Sequence, residues 1–206
     1  MRHDIGIQGP GFMLRPVTAA DSDFILHLRT DPQLNKFINA TSSRREDQIA
    51  WLDKYYARAG DYYFLVTRHD GAPEGAIAIY DTVDEPGNKR GEWGRWILQR
   101  GSPAAIESAL LIYQIAFDQL HMDMIYCRTV TLNEPVVSFH TSCGLVTHGM
   151  VTNNMIRDGK SYDAVEQRLT RERWPQMRVN LLAKAERLAQ RFPAARILTE
   201  ASGGCA

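Results

Sequence analysis

The run Gln99-Arg100-Gly101-Ser102-Pro103-Ala104-Ala105 joins a short apolar stretch, containing Trp93, Trp96, Ile97 and Leu98, to a long stretch of helical periodicity. Small residues at a strand-to-helix turn leave the N–H groups of the first helical turn unpaired and aimed at one point, where the helix dipole adds about half a positive charge. An anion, most simply a phosphate, is the guest such a turn suits. Pro103 fits a first helical position because its missing N–H would have had no helical acceptor, and Gly101 and Ala104 let a ligand approach the backbone closely. The run contains neither the Gly-Lys-Ser/Thr of a Walker loop nor a GxGxxG pattern. The same turn also serves as a plain connection, so alone it fixes no function.

Composition narrows the field. A chain of 206 residues suffices for one ordinary domain with its own core plus a tail, and 44% apolar with 23% charged residues is the balance of a soluble globular protein. Lys and Arg number 24, as do Asp and Glu, which gives no electrostatic case for a nucleic-acid or membrane partner; an anion would be met by a local pocket. Cys127, Cys143 and Cys205 match no zinc or thioredoxin spacing and read as reduced structural thiols. No basic region followed by an apolar run opens the sequence, and no run of about 18 apolar residues occurs in it, so a cytoplasmic location is expected.

The loop must be held by elements on both sides. Residues 1–11 carry several glycines and are expected to be flexible, and Phe12 to Val17 reads as a strand stopped at Pro16. Thr18 to Asp21 opens a helix with Phe24, Ile25 and Leu28 at apolar spacing, and a second helix follows Thr41-Ser42-Ser43 with Trp51, Leu52, Tyr55 and Tyr56 on one face. Tyr62 to Thr67 and Glu74 to Tyr80 flank His69-Asp70-Gly71 as a hairpin, and with 92–98 they make an antiparallel meander. The helix after the loop, with Ile106, Leu110, Ile112, Tyr113, Ala116, Phe117 and Leu120, is apolar nearly all round, which predicts burial on two sides. Met124 to Val130 is then a strand parallel to 92–98 across a right-handed crossover. Asn133-Glu134-Pro135 caps a short helix ending at Gly144, and 145–150 and 155–169 read as strands with a turn at Asp158-Gly159. Leu181, Leu182, Ala185, Leu188 and Ala189 mark an amphipathic helix appended to a domain of 12–170, docked on that domain or on a second subunit, and 171–206 ends in a disordered tail.

Taken in that order, the opening LRPVTAADSDFILHLRTDP and the segment NEPVVSFHTSCGL, Asn133 to Leu145, make residues 12–170 resemble the GNAT superfamily of acetyl-CoA-dependent N-acetyltransferases. The resemblance is greatest to the branch of ribosomal-protein and nucleotide-linked amino-sugar acetyltransferases. It implies an α+β fold: a mixed, mostly antiparallel twisted sheet with a splayed central parallel pair and flanking helices. Acetyl-CoA is the implied cosubstrate, with no metal. The family's loop after the fourth strand holds the CoA pyrophosphate, which gives that part to Gln99, Arg100, Gly101, Ser102, Ala104 and Ala105; Pro103 stands where the family's first Gly usually is. The backbone of Ile97 and Leu98 would pair with the pantetheine amides as an added strand does. Asn133 would contact the cofactor. His140, on the same helix face, stands where the family usually has a Tyr that gives a proton to the departing thiolate. An imidazole of ordinary pKa, about 6.5, can supply a proton or a hydrogen bond. Glu92 falls where the family's base takes the amine's proton, with Tyr80 and Asp81 as the other candidates.

The Val-Val-Ser-Phe-His run resembles that of bacterial members acting on nucleotide-linked amino sugars, so such a sugar or another small amine is the expected acceptor. A protein amino terminus as acceptor, an inactive acyl-CoA-binding module, and a homodimer stay open.

Overall fold

The computed structural model describes residues 2–192. In its first half run β1 (Ile7–Gln8), β2 (Phe12–Pro16), α1 (Ser22–Thr30), α2 (Arg45–Tyr56), β3 (Tyr62–Arg68), β4 (Pro73–Val83) and β5 (Arg90–Leu98). Then come α3 (Ala105–Gln114), continued by a π-helical stretch Ile115–Gln119, β6 (Met124–Val130), α4 (Glu134–Ser142), β7 (Val146–Arg157), β8 (Lys160–Thr170) and α5 (Trp174–Arg191). The strands form an 8-stranded sheet in the order β1-β2-β3-β4-β5-β6-β8-β7. Neighbours are antiparallel except β5 and β6, the parallel pair joined by the α3 crossover. The expected α+β class, with its mostly antiparallel sheet and central parallel pair, is found.

Both faces of the sheet are covered, so its central strands are apolar runs rather than alternating ones. The two-residue period still sorts them: Phe64 and Val66 of β3 face α3 and α5, whereas Tyr63 and Leu65 face α1 and α2. On the first face Phe12, Leu14, Ile77, Trp93, Tyr113 and Phe117 pack with α5; on the second, Ile25, Leu28, Leu52 and Tyr55 close over Ala76 and Ala78. Each large side chain buried this way contributes about 1.5–3 kcal/mol. The all-round apolarity of α3 is explained by its place between the sheet and α5.

Several expectations change. The stretch 1–11 is not loose throughout: β1 pairs with β2 at Ile7–Leu14 and Gln8–Met13, and the buried Glu107 carboxylate accepts the amides of Gly11 and Phe12, both at 2.8 Å. At Gly9 a Cβ would strike that carboxylate, so the glycines serve close approach rather than freedom. Of the two placements left open for helix α5, docking on the 12–170 domain is the one observed, and the helix shares that domain's core. Trp174 stacks on Phe117 at 5.6 Å and donates to Asp118 at 2.9 Å, while Leu181 and Ala185 are buried against α3. The two strands expected over 145–150 and from 155 are one, β7, irregular between Val151 and Met155 where Asn153 takes φ 53°. The expected disordered tail, with Cys205, lies outside the described residues; Cys127 and Cys143 are buried free thiols.

Candidate active site

β5 keeps β6 as a neighbour only at Arg90–Met124, Gly91–Ile125 and Glu92–Tyr126, and from Trp93 onward the two strands part. The cause lies in β5 itself. Its register with β4 jumps from Ala78–Gly94 to Ala76–Ile97, and Arg95 sits in that bulge at φ 48°. A bulge adds a residue to one strand and bends it. It turns Trp93 and Trp96 to the α3 face together, a spacing no regular strand allows, and leaves Glu92 and Arg95 on the α1–α2 face. Gly94 is needed there, because a Cβ would lie 2.7 Å from the Tyr80 hydroxyl.

Glu92 stands where the strands diverge. It is 7% exposed, its Oε1 accepts from Tyr80 at 3.0 Å, and its Oε2 from Arg128 Nη1 at 3.2 Å. Burial raises its pKa, against the opposing pull of the Tyr80 bond and the Arg128 charge. Tyr80 is itself pushed up by burial and by the Glu92 charge, so the proton between them stays on the phenol. Arg128 is shared: its Nε reaches Glu166 at 3.1 Å, and Arg168 reaches the same carboxylate at 2.6 Å. Burial opposes ionisation of Glu166, yet the bonds from Arg168 and Arg128 bring its pKa below the usual range. Asp81, the other carboxylate considered for the base, is exposed at φ 50°.

Beyond β5 the loop is tied at its root and open at its tip. The Gln99 amide donates to the Glu74 carbonyl at 2.8 Å, its side chain to the Glu74 carboxylate at 2.9 Å, and Ser102 Oγ accepts from Ala104 at 3.3 Å. Gly101 turns at φ 77° with nothing within 4 Å of a built Cβ, and Arg100 is exposed. The first α3 bond runs from Ser108 to the Ala104 carbonyl at 2.7 Å, so the amides of 105–107 have no helical acceptor. Ile97 and Leu98 pair with β4 through Ala76 and Gly75, leaving their other edge without a strand. The Asn133 carbonyl opens α4 by accepting from Val136 and Val137, but its side chain makes no cap bond. An open Gly101 turn, free first-turn amides, a strand edge without a partner and an uncommitted amide fit the phosphate, amide and carbonyl groups of a CoA thioester.

His140 lies deeper than a freely titrating acid would. It is 4% exposed, meets Trp93 edge-on at 4.6 Å between ring centres and Trp96 at 5.8 Å, and its Nδ1 has no partner. Burial drives its pKa down to about 4, so the imidazole is neutral at physiological pH.

On the α1–α2 face a cavity of about 230 Å³ is lined by Arg29, Thr41, Gln48, Trp51, Tyr63 and Arg95, among others. Arg95 is fixed there by Asp61 at 2.5 and 2.9 Å and lies over the rings of Tyr80, Trp51 and Tyr63 at 4.4, 5.2 and 5.7 Å. Sequence reading missed Arg29, Gln48, Arg95 and Arg128. The Trp93-Gly94-Arg95-Trp96 spacing did hold a signal for the bulge and hence for Arg95. No group of His, Cys, Asp and Glu suited to a metal ion occurs among the described residues, and no described helix is long and apolar enough to cross a membrane.

Residues 12–146 match the acetyltransferase (GNAT) domain family. No curated protein sequence matches the chain. Among solved structures it superposes on apo FdhC, a nucleotide-linked sugar GNAT, with a TM-score of 0.71 at 25% identity, covering 86% of this chain and 97% of that one. A GCN5-related N-acetyltransferase from Brucella melitensis gives 0.76 at 20% identity over 88% of this chain and 86% of its own. The spermidine N-acetyltransferase of Vibrio cholerae in complex with CoA and spermine gives 0.72 at 15% identity over 80% and 98%. These last two share the fold. With the family match running from the first residue of β2 to the first of β7, across the splayed strands, the loop and α4, the chain belongs to the GNAT acetyltransferases and is an acetyl-CoA-dependent N-acetyltransferase.

Proposed function

We propose that the protein acetylates a primary amine held on the α1–α2 face, with Glu92 as the base that takes the amine's proton. The observation that carries this reading is the buried carboxylate at the divergence of β5 and β6, its pKa raised by burial. A raised carboxyl is a stronger base than an exposed one, and Tyr80 and Arg128 hold its two oxygens in place. Bound acetyl-CoA supplies an acyl group already activated as a thioester. The amides of Arg100, Gly101 and Ala105, the Arg100 side chain and the Ser102 hydroxyl are the proposed pyrophosphate contacts, in a loop shaped by Gln99, held by Glu74, and by Ala104, bonded to Ser102; the free edge of Ile97 and Leu98 is the proposed pantetheine contact, and Asn133 a further one. His140 is proposed as a donor through the N–H of its neutral ring, since burial removes the imidazolium.

A nucleotide-linked amino sugar or similar small amine is the proposed acceptor, supported by the likeness to the nucleotide-linked sugar GNAT. The test is free thiol release from acetyl-CoA with a panel of amino sugars, small amines and peptides bearing a free amino terminus. Release with an amino sugar, reduced about 10²–10⁴-fold in Glu92→Gln with acetyl-CoA binding kept, is the expected result. Release with peptides alone would move the acceptor to protein amino termini. Binding of CoA with no release for any amine would leave an acyl-CoA-binding module.

A further inference from the structure

The cavity on the α1–α2 face has a charge composition that selects among amines. Arg29, in the last turn of α1, gives Nε to Thr41 Oγ1 at 2.7 Å and Nη2 to the Asn39 carbonyl at 3.3 Å. No carboxylate of the described residues lies within ion-pair distance of it. Burial lowers its pKa; the Tyr63 phenol opposes this and the neighbouring Arg95 charge adds to it. Arg95 is different, because Asp61 neutralises it through two bonds. The cavity wall therefore carries one uncompensated guanidinium with N–H groups still unused.

A second group on the wall points the same way. Gln48 is 5% exposed, lines the cavity, and its side-chain amide has no hydrogen-bond partner among the described residues. Asp47, also on the wall, is exposed, bonded to Ser42 Oγ at 2.6 Å and 3.9 Å from Arg44. It is not the partner of Arg29.

We propose that Arg29 and Gln48 form an anion subsite, so that the acceptor is an amine carrying a carboxylate or phosphate group, paired by the Arg29 fork and hydrogen-bonded by the Gln48 amide. The proposal rests on the reading of Glu92 as the base on this face. Arg95 lies 4.4 Å from the Tyr80 ring, whose hydroxyl bonds Glu92, so one tyrosine ring separates the cavity wall from the carboxylate. A polyamine fits poorly, because a second ammonium would meet the unpaired charge of Arg29.

Calorimetric titration with phosphoethanolamine, β-alanine, ethanolamine and spermidine tests this, since the probes share a primary amine and differ in charge. At least one anionic probe is expected to bind about tenfold or more tighter than ethanolamine and spermidine. Whichever anion binds more tightly identifies phosphate or carboxylate. Arg29→Gln should abolish that preference. Gln48→Leu, which leaves the bonds of Arg29 to the α1–α2 loop intact, should reduce it, and it decides the matter if Arg29→Gln fails to fold. Equal binding of anionic and neutral probes, no binding of either anionic probe, or a preference unchanged in Gln48→Leu and in a folded Arg29→Gln overturns the subsite. Thiol release with the same probes reads the transferase separately: release without preference removes the subsite alone, and preference without release removes acetyl transfer alone.

Discussion

Tyr80 donates its phenolic hydrogen to Glu92 at 3.0 Å across directly paired positions of β4 and β5. The bond joins the cavity on the α1–α2 face, whose Arg95 lies over the tyrosine ring, to the point where β5 leaves β6. It also favours the ionised carboxylate, in opposition to the burial that raises its pKa.

Tyr80→Phe removes that opposition. The Glu92 pKa should rise further, and the acidic limb of the pH–rate profile should move to higher pH, with a loss of about 0.5–1.5 kcal/mol in stability for the missing bond. A limb that stays in place would detach Tyr80 from the base. The linkage sign is fixed as well. A carboxyl raised in the folded state contributes stability that is complete below its unfolded pKa and lost as pH rises through the folded value, the same window in which the base form appears. Glu92→Gln should therefore abolish the rate limb and flatten stability against pH across that window, read by denaturant titration at several pH values.

Glu107 is a structural carboxylate, and its variants should behave differently. One oxygen, Oε1, accepts both the Gly11 and Phe12 amides. Gln offers the same oxygen, so Glu107→Gln should be nearly neutral, whereas Glu107→Ala strands two buried donors at about 1–3 kcal/mol each. Equal melting temperatures for the two variants would mean that water replaces the carboxylate.

Truncation after Thr170 should abolish cooperative unfolding. It removes Trp174, Leu181 and Ala185 from the core beside α3, and Trp174→Ala alone should cost about 3–5 kcal/mol. A soluble, cooperatively folded 1–170 fragment would show that α5 covers the core without sustaining it.

What the sequence revealed follows from the range of the interactions. The β3–β4 hairpin, the all-apolar α3 and the Asn133 start of α4 were legible because two-residue period, helical period and turn chemistry are local. The N-terminal strand was not, since Ile7–Gln8 is too short for a pattern and its loop is held by Glu107 from far along the chain. The α5 stripe was visible, but its partner was not, because an apolar face does not say what covers it. At the site, Glu92 could be placed on the strand by order, while the Arg29 cavity could not be seen: α1, α2, β3 and β5 each supply a residue that is unremarkable alone. Arg15 with Asp21 is the same kind of case, a bidentate pair at 2.8 and 2.7 Å that fixes the entry to α1 and left no sequence signal beyond the two charges.

Gly101→Val should weaken CoA binding more than it weakens the fold. The position needs φ 77°, which costs a β-branched residue about 1–3 kcal/mol, and no neighbour would clash with the new side chain. The added methyls would instead stand at the tip of the proposed pyrophosphate loop. In wild type, CoA at a hundredfold over its dissociation constant should add about 2.7 kcal/mol to stability. Thermal shift with CoA against none should fall in the variant, and an unchanged shift would place the pyrophosphate elsewhere.

His140 separates a packing role from a chemical one most sharply. Its ring meets Trp93 and Trp96 and is neutral near pH 7 because burial brings its pKa to about 4. Phe preserves an aromatic ring of similar size against the two indoles and removes the N–H, so His140→Phe should keep the melting temperature within a few degrees and lower turnover by about 10²-fold, the loss expected for one preorganised hydrogen-bond donor. His140→Tyr carries a phenol and should recover much of the rate if it fits among those rings, at a packing cost of about 1–3 kcal/mol. The pH–rate profile adds a check. A neutral ring contributes no limb near its ordinary value of about 6.5, so wild type should show none there that the Phe variant lacks. Steady-state rates and melting temperatures of the three proteins decide the question: full activity in His140→Phe would leave the residue as a packed histidine beside the site.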